Sequence, residues 1–224
     1  MKRFFSLILS LALSLCVLCS PAFAMDADNM VSPYYVGTQT THNYTYTYGA
    51  PKSITKGEWN HIYTGNPAAR DGEYDTISHS VSYSATFSGS FMGDIKSRIQ
   101  VEFGISFSKS TGFEISKNSA PLKKGEYIKA YWIRSYDSYD VTQKDTKHIY
   151  GWEQEYNFGP YVPVDRYETV ESHVTVEKPL QPKLKIEYWK NGAQIKSAAT
   201  ENTLERIEYF ELIDGTYQMV YSEG

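Results

Sequence analysis

Only two cysteines occur in 224 residues, and both, Cys16 and Cys19, lie in the first 24. That stretch reads as an export segment. Lys2 and Arg3 give a positive start, Phe4 to Leu18 an apolar run, and Ala22-Phe23-Ala24 a small-x-small cleavage site. Cleavage after Ala24 and release from the cell are expected. The apolar run is too short for a comfortable membrane helix of ~20 residues, so a retained anchor is the lesser reading. A chain beginning at Met25 has no disulfide, thiol nucleophile or thiolate metal site. It must be held by its core alone, and its length suffices for one sizeable core or two small ones.

Basic residues are also few. Losing Lys2 and Arg3 takes the 22 basic residues to 20 against 26 acidic, a formal charge of −6. That excludes the basic footprint of a nucleic-acid binder and gives no overall pull toward anionic lipid. No later apolar run approaches membrane-helix length.

Catalytic signatures are missing as well. Gly-x-Ser-x-Gly and the phosphate-binding Gly-Lys-Ser/Thr loop are absent. His42, His61, His79, His148 and His173 are too scattered for a zinc cluster. Asp71, Glu73 and Asp75 lack the later acid of a calcium loop. Nothing places the acid pairs Glu153/Glu155 and Asp137/Asp140 across a cleft. The expectation is a protein that is not an enzyme, with no catalytic residue, no cofactor and no metal.

What is abundant is tyrosine, with 20 residues, accompanied by Thr, Ser and Val. This usage suggests an all-β, mostly antiparallel protein, an elongated sheet or sandwich. The clearest segment runs from Ser78 to Phe91. Ser78, Ser80, Ser82, Ser84, Thr86, Ser88 and Ser90 occupy the even positions. Val81, Tyr83, Phe87 and Phe91 stand among the odd ones. Alternation of this kind places hydroxyls on one strand face and apolar groups on the other. After a break at 92–97 the parity resumes. Ile99, Val101, Phe103, Ile105 and Phe107 alternate with Arg98, Gln100, Glu102, Ser106 and Ser108. Two amphipathic strands across a short polar break read as a hairpin over 78–110. Met92, Ile95, Ile99 and Phe103 also follow a helical period, so 92–103 stays open between strand and helix.

Elsewhere, strands are expected at 40–48, 59–64, 126–134 and about 139–141, 148–152, 161–167 and 173–177. Pro179 to Pro182 should break the chain. The expected organisation is an export segment 1–24, a β-rich main domain 25–178 and a small C-terminal unit 179–224. The last would hold two hairpins turning at Asn191-Gly192 and Asp214-Gly215, with 202–212 open to a helix.

Both candidate strands reach the ~9–11 residues that a bilayer-crossing strand needs. The run Ser78–Phe91, its resumption at Arg98–Ser110 and the following Pro121-Leu-Lys-Lys-Gly-Glu-Tyr127 resemble the secreted aerolysin-type proteins of the epsilon-toxin and mosquitocidal-toxin class. The resemblance covers about the central third. It implies a protein that meets a membrane, assembles with copies of itself and inserts the hairpin, apolar face to lipid and hydroxyl face to a lumen. It departs from that pattern in its short tip, in Gly89 and Gly104 on the strands, and in lacking an evident receptor-binding domain. The simpler physical reading packs the apolar face on a second sheet. The rival function is a surface-binding module for a glycan, cell wall or protein. It would use Tyr34, Tyr35, Tyr44, Tyr46, Tyr48, Tyr136, Tyr139, Trp152 and Tyr156.

Overall fold

The computed structural model describes residues 37–155, 159–191 and 202–224. The expected export segment, Tyr34, Tyr35, Tyr156 and the Gly192 half of the Asn191-Gly192 turn lie outside them.

The chain is all-β and antiparallel, with one helix among the described residues. The strands are β1 (Thr38–Tyr48), β2 (Lys52–Thr64), β3 (Thr76–Ser84), β4 (Thr86–Ser88), β5 (Ser110–Asn118), β6 (Glu126–Gln154), β7 (Tyr161–Lys190), β8 (Thr203–Ile213) and β9 (Thr216–Glu223). Helix α1 (Ile95–Phe103) lies between β4 and β5.

Two long strands set the frame. β6 and β7 pair from Glu126↔Lys190 to Gln154↔Tyr161, so the ribbon extends roughly 95 Å at ~3.3 Å per residue. β1 and β2 line the other side of β6 end to end, while β8 and β9 extend the sheet beyond β7. The short strand candidates at 126–134, 139–141 and 148–152 are therefore one continuous strand.

Pro179 to Pro182 do not break the chain; they lie inside β7. The register shifts there, between the pairs Ile133↔Lys183 and Ser135↔Leu180. A bulge tolerates proline because some ladder bonds are already missing. Side chains take up the released groups. Tyr217 Oη donates to the Pro182 carbonyl at 2.9 Å, while Gln181 of the bulge ties it to β5 by donating Nε2 to the Glu114 carbonyl at 2.7 Å. The Tyr83 hydroxyl donates to the Leu180 carbonyl and accepts from Ser135 N–H at 3.4 Å. At the C-terminus, residues 203–213 form a strand and not a helix. Asp214 and Gly215 turn it into β9 with φ of 48° and 78°, as a tight hairpin requires.

The 78–110 hairpin takes a different form. β3 pairs with β5, from Thr76↔Asn118 to Ser84↔Ser110, as a separate two-stranded sheet. Its partner is thus 110–118 and not 98–110. Residues 95–103 are helical because Ile95, Ile99 and Phe103 recur every fourth position and all three are buried. Gly104, at φ 61° in the left-handed region, closes the helix.

Two cores result. Ile77, Val81, Tyr83 and Ile115 of the β3–β5 sheet pack on Ile128, Ala130, Leu184, Ile186 and Tyr188. Farther along the ribbon, Ile95, Ile99 and Phe103 pack on Val141, Val174 and Val176.

Candidate functional site

Segment 76–118, the stretch singled out by its alternation, packs on the ribbon in two places: against even-numbered Ile128, Ala130 and Tyr136 of β6, and against odd-numbered Tyr139 and Val141, which face the other side of that strand. It has an anchored part and a stowed part.

The anchored part is the β3–β5 pair. Val81 and Tyr83 are buried, while Ser78, Ser80 and Ser82 face water. Ser80 Oγ donates to the Glu114 carboxylate at 2.7 Å, and Ser84 and Ser110 hydroxyls lie 3.1 Å apart. Tyr83 is the anchor. Its ring lies 4.9 Å from Phe113, 5.3 Å from Tyr136 and 6.1 Å from Trp132, and burial pushes its phenol up to about 12.

The stowed part, 85–109, crosses onto the distal ribbon. At buried Ala85 the chain leaves β5, and β4 pairs instead with β7, Thr86↔Glu177 to Ser88↔Thr175. Thr86 Oγ1 donates to Glu177 at 2.6 Å, and Lys56 Nζ holds the other oxygen of that carboxylate at 2.5 Å. Gly89, at φ 110°, lets the backbone pass His173; a Cβ there would sit 3.0 Å from the His173 carbonyl. Ser90 and Met92 are clamped by fully buried Gln143. Its Oε1 accepts from Met92 N–H at 3.0 Å, and its Nε2 donates to the Ser90 carbonyl at 2.9 Å. Phe87, Phe91 and Phe107 form a small cluster at the surface, with centroids 4.9 to 5.9 Å apart and Lys96 Nζ 4.9 Å above Phe87.

The helix fastens to β1 on its outer side. The hydroxyls of Tyr46 and Tyr48 both donate to Glu102, that of Tyr48 at 2.6 Å. These two bonds hold the Glu102 carboxyl below the usual range. Burial and the adjoining carboxylate push the Tyr46 phenol up to about 12. Arg98 Nη1 donates to the Tyr44 carbonyl at 2.8 Å, and the Arg98 Cζ lies 5.0 Å from the centre of the Tyr46 ring. Tyr44 in turn fills the space beside Gly93, where a Cβ would fall 2.3 Å from its ring.

The residues read as one apolar face are therefore divided. Ile99 and Phe103 are buried, Phe91, Ile105 and Phe107 half-buried, and Phe87 is 39% exposed. Val101, on the outer side of the helix, is 84% exposed. Among the polar set, Thr86, Ser88, Ser90, Arg98, Glu102 and Ser108 are exposed, while Gln100 and Ser106 are half-buried. Gln143 escaped the sequence reading, although it shares the parity of buried Val141 on β6.

Among the described residues, the aromatics of the binding-module reading are mostly in use. Tyr46, Tyr48 and Tyr139 hold α1, with Tyr139 stacked 4.4 Å from Phe103, and Tyr136 is buried in the core. Among the described residues no three His, Cys, Asp or Glu side chains gather where a metal ion could be held. Glu153 is held by Arg166 at 2.8 Å.

No family model matches the chain, and no curated protein matches it. Among solved structures, a chain of the crystal structure of the Cry23Aa1 and Cry37Aa1 binary protein complex is similar at a TM-score of 0.28 and 9% identity. The match covers 78% of this chain and 90% of that one. A likeness so loose carries no functional argument.

Proposed function

We propose that this is a secreted, non-enzymatic protein that perforates membranes by releasing segment 85–109 from the ribbon and re-forming it as the tip of a transmembrane hairpin. One observation carries the reading: the β3–β5 register ends at Ser84↔Ser110, and the stowed residues between can continue it one for one. Extended one for one past Ser84↔Ser110, it pairs Phe87 with Phe107, Gly89 with Ile105, Phe91 with Phe103 and Gly93 with Val101. The turn falls on 96–98. Each arm, 86–95 and 99–108, has ten residues, within the ~9–11 that cross a bilayer.

The faces separate by chemistry in that register. Phe87, Phe91, Ile95, Ile99, Val101, Phe103, Ile105 and Phe107 share the lipid side. Thr86, Ser88, Ser90, Asp94, Gln100, Glu102, Ser106 and Ser108 share the lumen side, where Met92 is the one apolar side chain among them. Lys109 marks the near water interface. A lone hairpin leaves its outer backbone groups unbonded, which lipid does not tolerate, so several copies must close a barrel.

The resting arrangement suits release. The stowed part meets the ribbon through the small apolar cluster around α1 and the polar clamps of Gln143, Glu177 and Glu102. The anchored part stays in the larger core and fixes the starting register.

A disulfide between Ser88→Cys and Thr175→Cys, opposite each other in the ladder, tests the reading. Oxidised, it should abolish dye release from vesicles; reduced, release should return. Release that is indifferent to the tether, or absent from every membrane tried with a folded untethered protein, overturns it.

A further inference from the structure

Segment 85–109 does more than hide its own apolar side: it reaches both edges of the distal ribbon, at Tyr44 of β1 and at Thr175 to Glu177 of β7. That ribbon has three strands, β1–β6–β7, and its two outer edges stand at the same level, since Tyr48 faces Val141 and Val141 faces Val174. Which backbone groups point outward follows from two hydrogen bonds. Trp152 N–H donates to the Gly37 carbonyl at 3.1 Å, and the β1–β6 register runs without a shift. Antiparallel ladders alternate, so the even-numbered residues of β1 turn N–H and C=O away from β6. Glu155 N–H donates to the Pro160 carbonyl at 3.3 Å, which turns the odd-numbered residues of β7 outward across 161–177 by the same rule.

The stowed segment sits on both rows. Arg98 Nη1 caps the Tyr44 carbonyl, an outward group of β1. β4 occupies the outward groups of Thr175 and Glu177 on β7.

The two edges differ in character. β1 has eleven residues with no Asp, Glu, Lys, Arg or Pro and no bulge. It thus lacks every usual device against strand addition. Over 161–172, β7 carries Pro163, Asp165, Arg166, Glu168 and Glu171. Two β7 edges would set these acids against each other; a neutral β1 edge meets them without repulsion.

We propose that segment 85–109 is an assembly lock, and that its departure lets the β1 edge of one copy pair with the β7 edge of the next. β1 and β7 run in the same direction, both antiparallel to β6, so the junction is a parallel pair. It is head-to-tail, the kind of contact that repeats until a ring closes. The inference rests on the proposed function only for the release of the segment.

The test uses the full-length protein in lipid-free solution. Ile99→Asp buries a charge under α1 and unlocks the segment; Arg98→Gln removes the cap on β1 together with the contact on the Tyr46 ring and the pair with Asp94. Sedimentation should show the wild type as a monomer and the folded Ile99→Asp protein at twice the monomer mass or more. Arg98→Gln should give a weaker, concentration-dependent increase and serves alone if Ile99→Asp does not fold. Adding Thr40→Pro, which removes an outward N–H of β1, should return either protein to the monomer. Thr45→Cys with Glu171→Cys should cross-link unlocked copies. Inside one copy these positions stand two strands apart, ~10 Å, beyond the reach of a disulfide. A folded, unlocked protein that stays monomeric overturns the proposal, as does assembly indifferent to Thr40→Pro or a dimer cross-linked through Thr45→Cys alone. Vesicle release plays no part in this readout. A protein that assembles without perforating membranes contradicts the proposed function and not the lock.

Discussion

The rings of Phe87 and Phe107 lie 4.9 Å apart, although one belongs to β4 and the other to the turn after α1. They are also the pair that continuing the β3–β5 register brings opposite each other. The stowed segment thus already holds one contact of the proposed hairpin. Losing that contact should slow zipping while leaving the fold intact. Phe107→Ser should lower the rate of dye release and change thermal stability by less than the ~2–5 kcal/mol typical of a deep core site. Stopped-flow release beside a melting curve measures both.

Ile99 should control how firmly the segment is stowed. It is fully buried beneath α1, so Ile99→Ala removes methylenes and leaves a cavity costing about 2–5 kcal/mol. The β3–β5 sheet rests on a different core and should be spared. Hydrogen exchange should show faster amides in 95–103 and unchanged amides in 76–84. Uniform loosening of both would contradict two separable parts.

The Glu102 latch gives a pH dependence with a definite sign. Bonds from Tyr46 and Tyr48 hold its carboxyl below the ordinary value. The stabilisation is complete above the unfolded pKa and is lost as pH falls through the lower folded one. Exchange of the α1 amides should therefore quicken on acidification below the usual carboxylate range. Glu102→Gln should flatten that response. At the alkaline end, ionising Tyr46 near 12 places a phenolate beside the carboxylate and should loosen the same contact.

Tyr83 is expected to matter through its hydroxyl as much as its ring. Tyr83→Phe leaves Leu180 C=O and Ser135 N–H at the bulge without this partner. An unmet buried polar group costs about 1–3 kcal/mol. Denaturant unfolding should show a loss of that size.

Much of this was readable from residue order, and the misreadings share a cause. Ser78–Phe91 announced an amphipathic strand, and Asp214-Gly215 announced its hairpin, because period two and turn chemistry are local. Residues 98–107 satisfy a period of two in their polar pattern and a helical period in Ile95, Ile99 and Phe103. The ribbon decided between them, since Val141, Val174 and Val176 offer a patch for a narrow helix stripe. Segmenting β6 into short strands failed for another reason. Its Tyr, Thr and Asp residues look like breaks until β1 and β2 cover one edge and β7 the other. The prolines at 179 and 182 misled because the side chains that rescue the bulge, Tyr83 and Tyr217, come from two other strands, β3 and β9.

Val101 separates the membrane account from a purely structural one most directly. It is 84% exposed in the resting fold, yet the continued register places it on the lipid side of the hairpin. Val101→Arg should leave the melting temperature of the resting protein within the ~0.5 kcal/mol equivalent of a surface change. In the inserted state each copy would carry an arginine toward lipid between the midplane, where it costs about 2–4 kcal/mol, and the far interface, where it costs about 0–1 kcal/mol, and every copy of the assembly would bear that cost. The account predicts an unaltered melting curve together with reduced dye release. Full release by a stable Val101→Arg protein would contradict it.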